Sequence, residues 1–183
     1  MLITPISLKA DGGLKMQHDT DMNLGLKNIW EVVCLDSDGN EKWREINKNL
    51  VTTEGLNHVL SSTLDGGTQI TTWYVGLKGT GSAAAGDTMS SHSGWSEVTD
   101  YSQSVRQTLT LGTAAAGSID NSASKASYSI NATATVAGAF ITSDSTKSGT
   151  TGTLYGVVDF ASSRSVISGD TLEVTVTLTA ASA

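Results

Sequence analysis

The stretch "DTLEVTVTLTA", Asp170–Ala180, decides the fold. Leu172, Val174, Val176 and Leu178 alternate without a break with Glu173, Thr175, Thr177 and Thr179. A period of two places one set on each face of a strand. Unbroken alternation marks an antiparallel strand with one face on a core and the other in water.

Working back along the chain, the same signal recurs. "ASYSINATATV" sets Tyr128, Ile130, Ala132, Ala134 and Val136 against Ser129, Asn131, Thr133 and Thr135. "SVRQTLTL" groups Val105, Leu109 and Leu111, and "QITTWYVGLK" groups Trp73, Val75 and Leu77. "GAFITS" and "TLYGVVDF" are shorter and apolar on both faces. "IWEVVCL" and "EKWREI" flank "DSDGN", where Gly39 supplies the positive φ of a tight hairpin. A calcium loop is the rival reading of Asp36, Asp38 and Asn40. An EF-hand-type loop wants glycine sixth and glutamate twelfth, whereas Gly39 comes earlier and Asn47 takes the last place. Strands and turns at this density predict an antiparallel β-sandwich, jelly-roll or immunoglobulin-like.

One segment breaks the period. Residues 52–65 are predicted as a helix packed on the sheet. Thr52 is a good N-cap, Val51 and Leu56 sit at staple positions, and Glu54 suits the positive end of the helix dipole. Leu56, Val59, Leu60 and Leu64 form one apolar stripe, and Gly66-Gly67 stops the helix. So short a helix does not stand alone, so the stripe is expected to lie as a lid on the sheet.

Residues 1–27 show no sustained period and read as an extended N-terminal arm. Residues 28–183 read as a single β-sandwich domain. Long connections are expected near 79–100, 112–125 and 143–152. The first carries Trp95 and Tyr101 and is expected to be ordered by contact with its own chain or a neighbour.

Composition removes several function classes. The net charge is -7, and no basic block occurs. That argues against nucleic acid and anionic membrane as partners. The start lacks the pattern of a signal peptide, and no apolar run approaches a membrane span, so the expectation is a soluble protein assembled in the cytoplasm. The single cysteine, Cys34, cannot form an intrachain bridge. His18, His58 and His92 have no second histidine or cysteine at ligand spacing, so no metal or cofactor is expected. No G-x-S-x-G, H-E-x-x-H or phosphate-loop motif occurs, so no enzyme is expected.

Four motifs carry a resemblance. They are the tryptophan-containing hairpin with its "DSDG" turn, the helix start "NLVTTEGLN", the strand "TWYVGL" and the final "SGDTLEVTVTLTA". Over roughly residues 25–180 the chain resembles small virion structural proteins of tailed bacteriophages, of the capsid decoration (cement) type. The resemblance implies a non-enzymatic protein on the outer capsid surface of the virion, assembled in the host cytoplasm. Its implied partners are the major capsid protein and further copies of itself, a trimer before other oligomers. It transfers no catalytic residues.

The expected partner-binding residues are Leu2, Ile3, Pro5, Ile6 and Leu8 of the arm, with Trp95 and Tyr101 of the long connection. Two alternatives stand beside the cement reading. One is a tail, neck or fibre component with a host-receptor or carbohydrate-binding role. The other is an unrelated enzyme or lectin on the same scaffold.

Overall fold

A computed structural model describes residues 24–48 and 50–182. It is mainly β, with two antiparallel sheets and one helix. The alternating stretch is the heart of β11 (Thr171–Ser182). One edge of β11 pairs along its whole length with β1 (Leu24–Leu35), and β1 pairs in turn with β2 (Glu41–Lys48). The other edge takes two short strands, β7 (Ser118–Asp120) and β8 (Ala126–Ser129). These five strands are the first sheet.

The second sheet runs β3 (Leu50–Val51), β10 (Leu154–Val166), β9 (Ala134–Thr142) and β4 (Tyr74–Gly81). The far edge of β4 is shared by β5 (Trp95–Val98) and β6 (Gln107–Thr108). Trp30, Val32 and Cys34 of β1 and Leu172, Val174 and Val176 of β11 join Val75, Leu77, Ile141 and Val158 of the second sheet in one buried cluster. Along one side, β2 and β10 are tied together by an Arg164–Glu45 ion pair and a Trp43–Phe160 edge contact.

The β1–β2 turn forms as expected, with Gly39 at φ +83°. The Asp36 carboxylate accepts hydrogen bonds from the backbone amides of Asp38 and Asn40. Its acidity is increased chiefly by the Asn40 amide, so this aspartate serves the turn.

The second sheet is buried on both faces. Phe140, Leu154 and Val157 turn away from the shared core, and Met89 and Trp95 cover them. Met89 comes from the long connection that follows β4, and Trp95 opens β5 at the end of that connection. That is why the strands around Phe140 and Val157 read as apolar on both faces.

Three expectations are corrected. The arm boundary at residue 27 is too late, because Leu24–Lys27 are already strand, with Leu26 opposite Ala180. Residues 1–23 lie outside the described residues. The helix α1 is Thr53–Leu64, with Thr52 as its N-cap, as expected, and Asp65 as its C-cap. The stretch Ala126–Val136 is two strands in different sheets, since the chain crosses between Ile130 and Ala134 while the alternation runs on. Val105 is 42% exposed, and its neighbour Arg106 is the buried residue, held by Glu97.

Candidate functional site

The helix shows which surfaces the body leaves open. Its N-terminus is clamped to the edge of β10. The Thr52 amide donates to the Tyr155 carbonyl, and the Thr52 hydroxyl donates to the Leu154 carbonyl. Glu54 accepts from the Leu154 amide at 2.8 Å. Thr52 also caps the helix by accepting from the Gly55 amide at 3.0 Å. Gly55 then lies directly on the strand, and a Cβ there would sit 2.2 Å from the Tyr155 carbonyl oxygen.

That clamp sets the rotation of the helix. Gly55, His58, Val59 and Ser62 follow i, i+3, i+4, i+7 spacing and face the body. Val59 packs on the core, and the His58 ring meets Trp73 edge-on at 5.4 Å. The expected lid is therefore turned around. Leu56, Leu60 and Leu64 are 41%, 54% and 78% exposed. The backbone docking at Thr52 and Gly55 outweighs the pull of the leucines, and their stripe is uncovered by the described residues.

Beside the helix lies an apolar groove at one end of the sheets. Its first part, about 170 Å³, is lined by His58, Val59, Trp73, Leu111 and Tyr155. A second part, about 320 Å³, is lined by Leu26, Asn28, Ile119 and Ala180. Tyr155 and Leu178 belong to both. The second part is walled by the start of β1, the end of β11 and the segment around β7, together with Tyr155 of β10.

Asn28 is the anomaly in this groove. It is 1% exposed, and among the described residues its carboxamide makes no hydrogen bond of ordinary geometry, with the Tyr155 hydroxyl as a weak partner. An unsatisfied buried polar group costs about 1–3 kcal/mol. Tyr155 is beside it. Burial raises the Tyr155 phenol above its ordinary range, and Asn28 pulls it the other way. The alternation rule predicts an inward residue at position 28, two before Trp30. Extending the strand pattern upstream of Ile29 would have exposed this polar residue in an apolar row.

The expected partner residues separate. Leu2, Ile3, Pro5, Ile6 and Leu8 lie outside the described residues. Trp95 and Tyr101 do not form a surface, being 6% and 1% exposed. Trp95 packs between His92 and Phe140 and donates its indole N–H to Asp87 at 2.9 Å. Tyr101 meets Tyr128 edge-on beneath the Lys147 ammonium, which lies 3.8 Å from its ring centre. Their connection is ordered by its own chain. His92 and His58 are spent on aromatic contacts in different places.

Among the described residues, no group of three or more His, Cys, Asp or Glu is placed to hold a metal ion. Cys34 is buried, and desolvation, followed by the nearby Asp170, pushes its thiol up to about 12. That suppresses the thiolate a nucleophile requires. No described helix is long and apolar enough to cross a membrane. In comparisons with known proteins, the chain matches no family model and no curated protein.

Proposed function

We propose that the chain is a non-enzymatic structural protein of a tailed-phage virion. In this reading its two sheets form a β-sandwich, jelly-roll or immunoglobulin-like in type. The body binds the outside of the capsid lattice and stabilises the head as a cement protein, several copies acting together as a homo-oligomer, with a trimer as the first assembly to test. Many weak, repeated contacts reinforce a shell through avidity.

The observation that carries this reading is the outward stripe of Leu56, Leu60 and Leu64. It is displayed on a helix whose other face is fixed by backbone contacts, so it is rigid and apolar. Such a patch is suited to association with a protein surface. The net charge of -7 supports an exterior position, because an acidic protein is not drawn to packaged DNA.

The tail or fibre alternative relied on Trp95 and Tyr101 as an adhesive tip. Their burial removes that support.

The test is localisation followed by mutation. Electron cryomicroscopy of intact virions should place the chain on the head exterior. The double variant L60D/L64D should keep its fold and lose at least about tenfold in affinity for undecorated heads, since each buried leucine contributes about 1.5–3 kcal/mol. Full occupancy by a folded double variant rules out the stripe as the contact. Density on the tail alone rules out the cement reading.

A further inference from the structure

We infer that Lys78 and Asp159 condense into an amide, a side-chain crosslink between β4 and β10 within one chain. Among the described residues, three lysines pair with carboxylates. Lys42 and Lys125 are 30% and 41% exposed, so water surrounds their ammonium groups. Lys78 is fully buried, with its Nζ 2.9 Å from Asp159 Oδ1. The sheet register builds this contact. Lys78 and Asp159 both stand opposite Gly138 of β9, one on each side, so all three share a face. Glycine leaves that face open, and a Cβ at Gly138 would lie 3.2 Å from Lys78 Cδ. The lysine stem therefore crosses the middle strand and carries its nitrogen to a carboxylate two strands away. The ammonium also donates to the carbonyls of Gly79 and Gly81, which leaves one N–H for Asp159. Asp159 Oδ2 accepts from the Ala83 amide at 3.0 Å. That donor stands where negative charge collects when a nucleophile adds to the carboxyl carbon.

The reaction is a dehydration and needs no further reactant. A proton passes from Nζ to Oδ1 along the existing hydrogen bond, leaving an amine beside a carboxylic acid. The nitrogen lone pair adds to Cγ and forms the Nζ–Cγ bond, with the negative charge on Oδ2. The Cγ–Oδ1 bond then breaks. Oδ1 takes a second proton from the nitrogen and departs as water, and Oδ2 regains its double bond. Two charges held out of water are costly, and the amide carries none. The fixed contact supplies the proximity and orientation that the same step lacks in solution. Asp159, 41% exposed, gives the water an exit. Glu97 faces Lys78 from β5 but is committed to Arg106, so the protons move within the pair and the bond accumulates slowly after folding. Freshly folded chains hold the ion pair. The crosslink does not depend on where the chain sits in a virion.

Mass spectrometry of the intact full chain is the test. Prolonged incubation of the folded protein at physiological temperature should lower its mass by one water. A protease digest should then yield a branched peptide that joins the Lys78 segment to the Asp159 segment. K78M and D159A should keep their full mass. D159N should lose ammonia in place of water, because an asparagine side chain carries that leaving group. K42M, which breaks the wetter Lys42–Asp170 pair, should still lose water. An unchanged mass in the unaltered chain overturns the inference, whatever the variants do. So does a lost water that persists in K78M or comes with linear peptides only, which places the dehydration at a backbone succinimide.

Discussion

The two sheets are built from similar strands but solve different burial problems. The first sheet presents one face to the shared core and the other to water. Along β11, Leu172, Val174 and Val176 are buried, while Glu173, Thr175 and Thr177 alternate with them at the surface. The second sheet has its outer face covered as well, by Met89 and Trp95 over Phe140, Leu154 and Val157. It also buries charge. Lys78 is fully buried and paired with Asp159 at 2.9 Å, and Arg106 pairs with Glu97 at 2.8 Å. The difference teaches that a connecting segment can be a structural layer. The first sheet is stabilised by the shared core alone, the second by that core and by the cover that its own loop supplies.

The comparison breaks most sharply at Phe140. Phe140→Ala opens a cavity beneath the cover, and such truncations cost about 3–5 kcal/mol. The matched change on the wet face of the first sheet, Thr175→Ala, should stay within about 0.5 kcal/mol. Urea denaturation of both variants measures the contrast. Equal losses mean that the cover adds no second core.

The buried charges come next. Arg106 donates to Glu97 through Nε and Nη2, at 2.9 and 2.8 Å, and to the carbonyls of Asp144 and Gly149. It thereby fastens the 143–152 connection to β5. Arg106→Met leaves Glu97 buried and unpaired, a loss of about 3 kcal/mol or more. The double variant R106M/E97Q should recover part of it, because the remaining buried group is then neutral. Lys78→Met should cost less than Arg106→Met, since its partner Asp159 is 41% exposed and water can take the place of the ammonium. Reversal of that order would mean that the Lys78 pair holds the cover in place.

The first core has a pH signature. Burial raises Cys34 from its ordinary 9.0 to about 12, and raises Tyr101 and Tyr128 as well. In each case the folded state holds its proton more tightly than the unfolded chain does. Their contribution is therefore complete below about pH 9 and is lost as pH rises toward about 12. Thermal melts should be level up to pH 9 and fall beyond it. Cys34→Ala should shallow that fall. An unchanged alkaline slope in the alanine variant would assign the loss to the tyrosines.

What could be read from the sequence follows the same division. The first sheet was legible because its wet face imposes alternation: Leu172 to Leu178 on β11, and the hairpin around Gly39. The cap at Thr52 was legible because capping is local chemistry. The second sheet was harder, since a strand covered on both faces has no period to reveal its partners. Phe140 and Val157 therefore gave no hint that Met89 and Trp95 lay above them. The crossing between Ile130 and Ala134 was hidden because alternation survives a change of sheet. Arg106 and Lys78 were missed because charge suggests solvent until a partner far along the chain is known. For the groove, Asn28 sits in phase with Trp30, but a strand read only from Ile29 onward leaves it out.

The smallest expected effect tests the helix, where the sequence pattern and the packing disagree most. Leu60→Asp should change the stability of the isolated protein by no more than about 0.5 kcal/mol, because Leu60 is 54% exposed. Were the leucine stripe a lid, the same change would bury an unpaired carboxylate and cost several kcal/mol. Gly55→Ala supplies the internal control. Alanine is ordinarily the better helix former by about 1 kcal/mol, yet here its Cβ meets the Tyr155 carbonyl oxygen at 2.2 Å, so it should destabilise. A tolerated Leu60→Asp beside a damaging Gly55→Ala would establish that backbone contact with β10 orients α1. The reverse pair of results would return the leucines to the core and withdraw them from any partner.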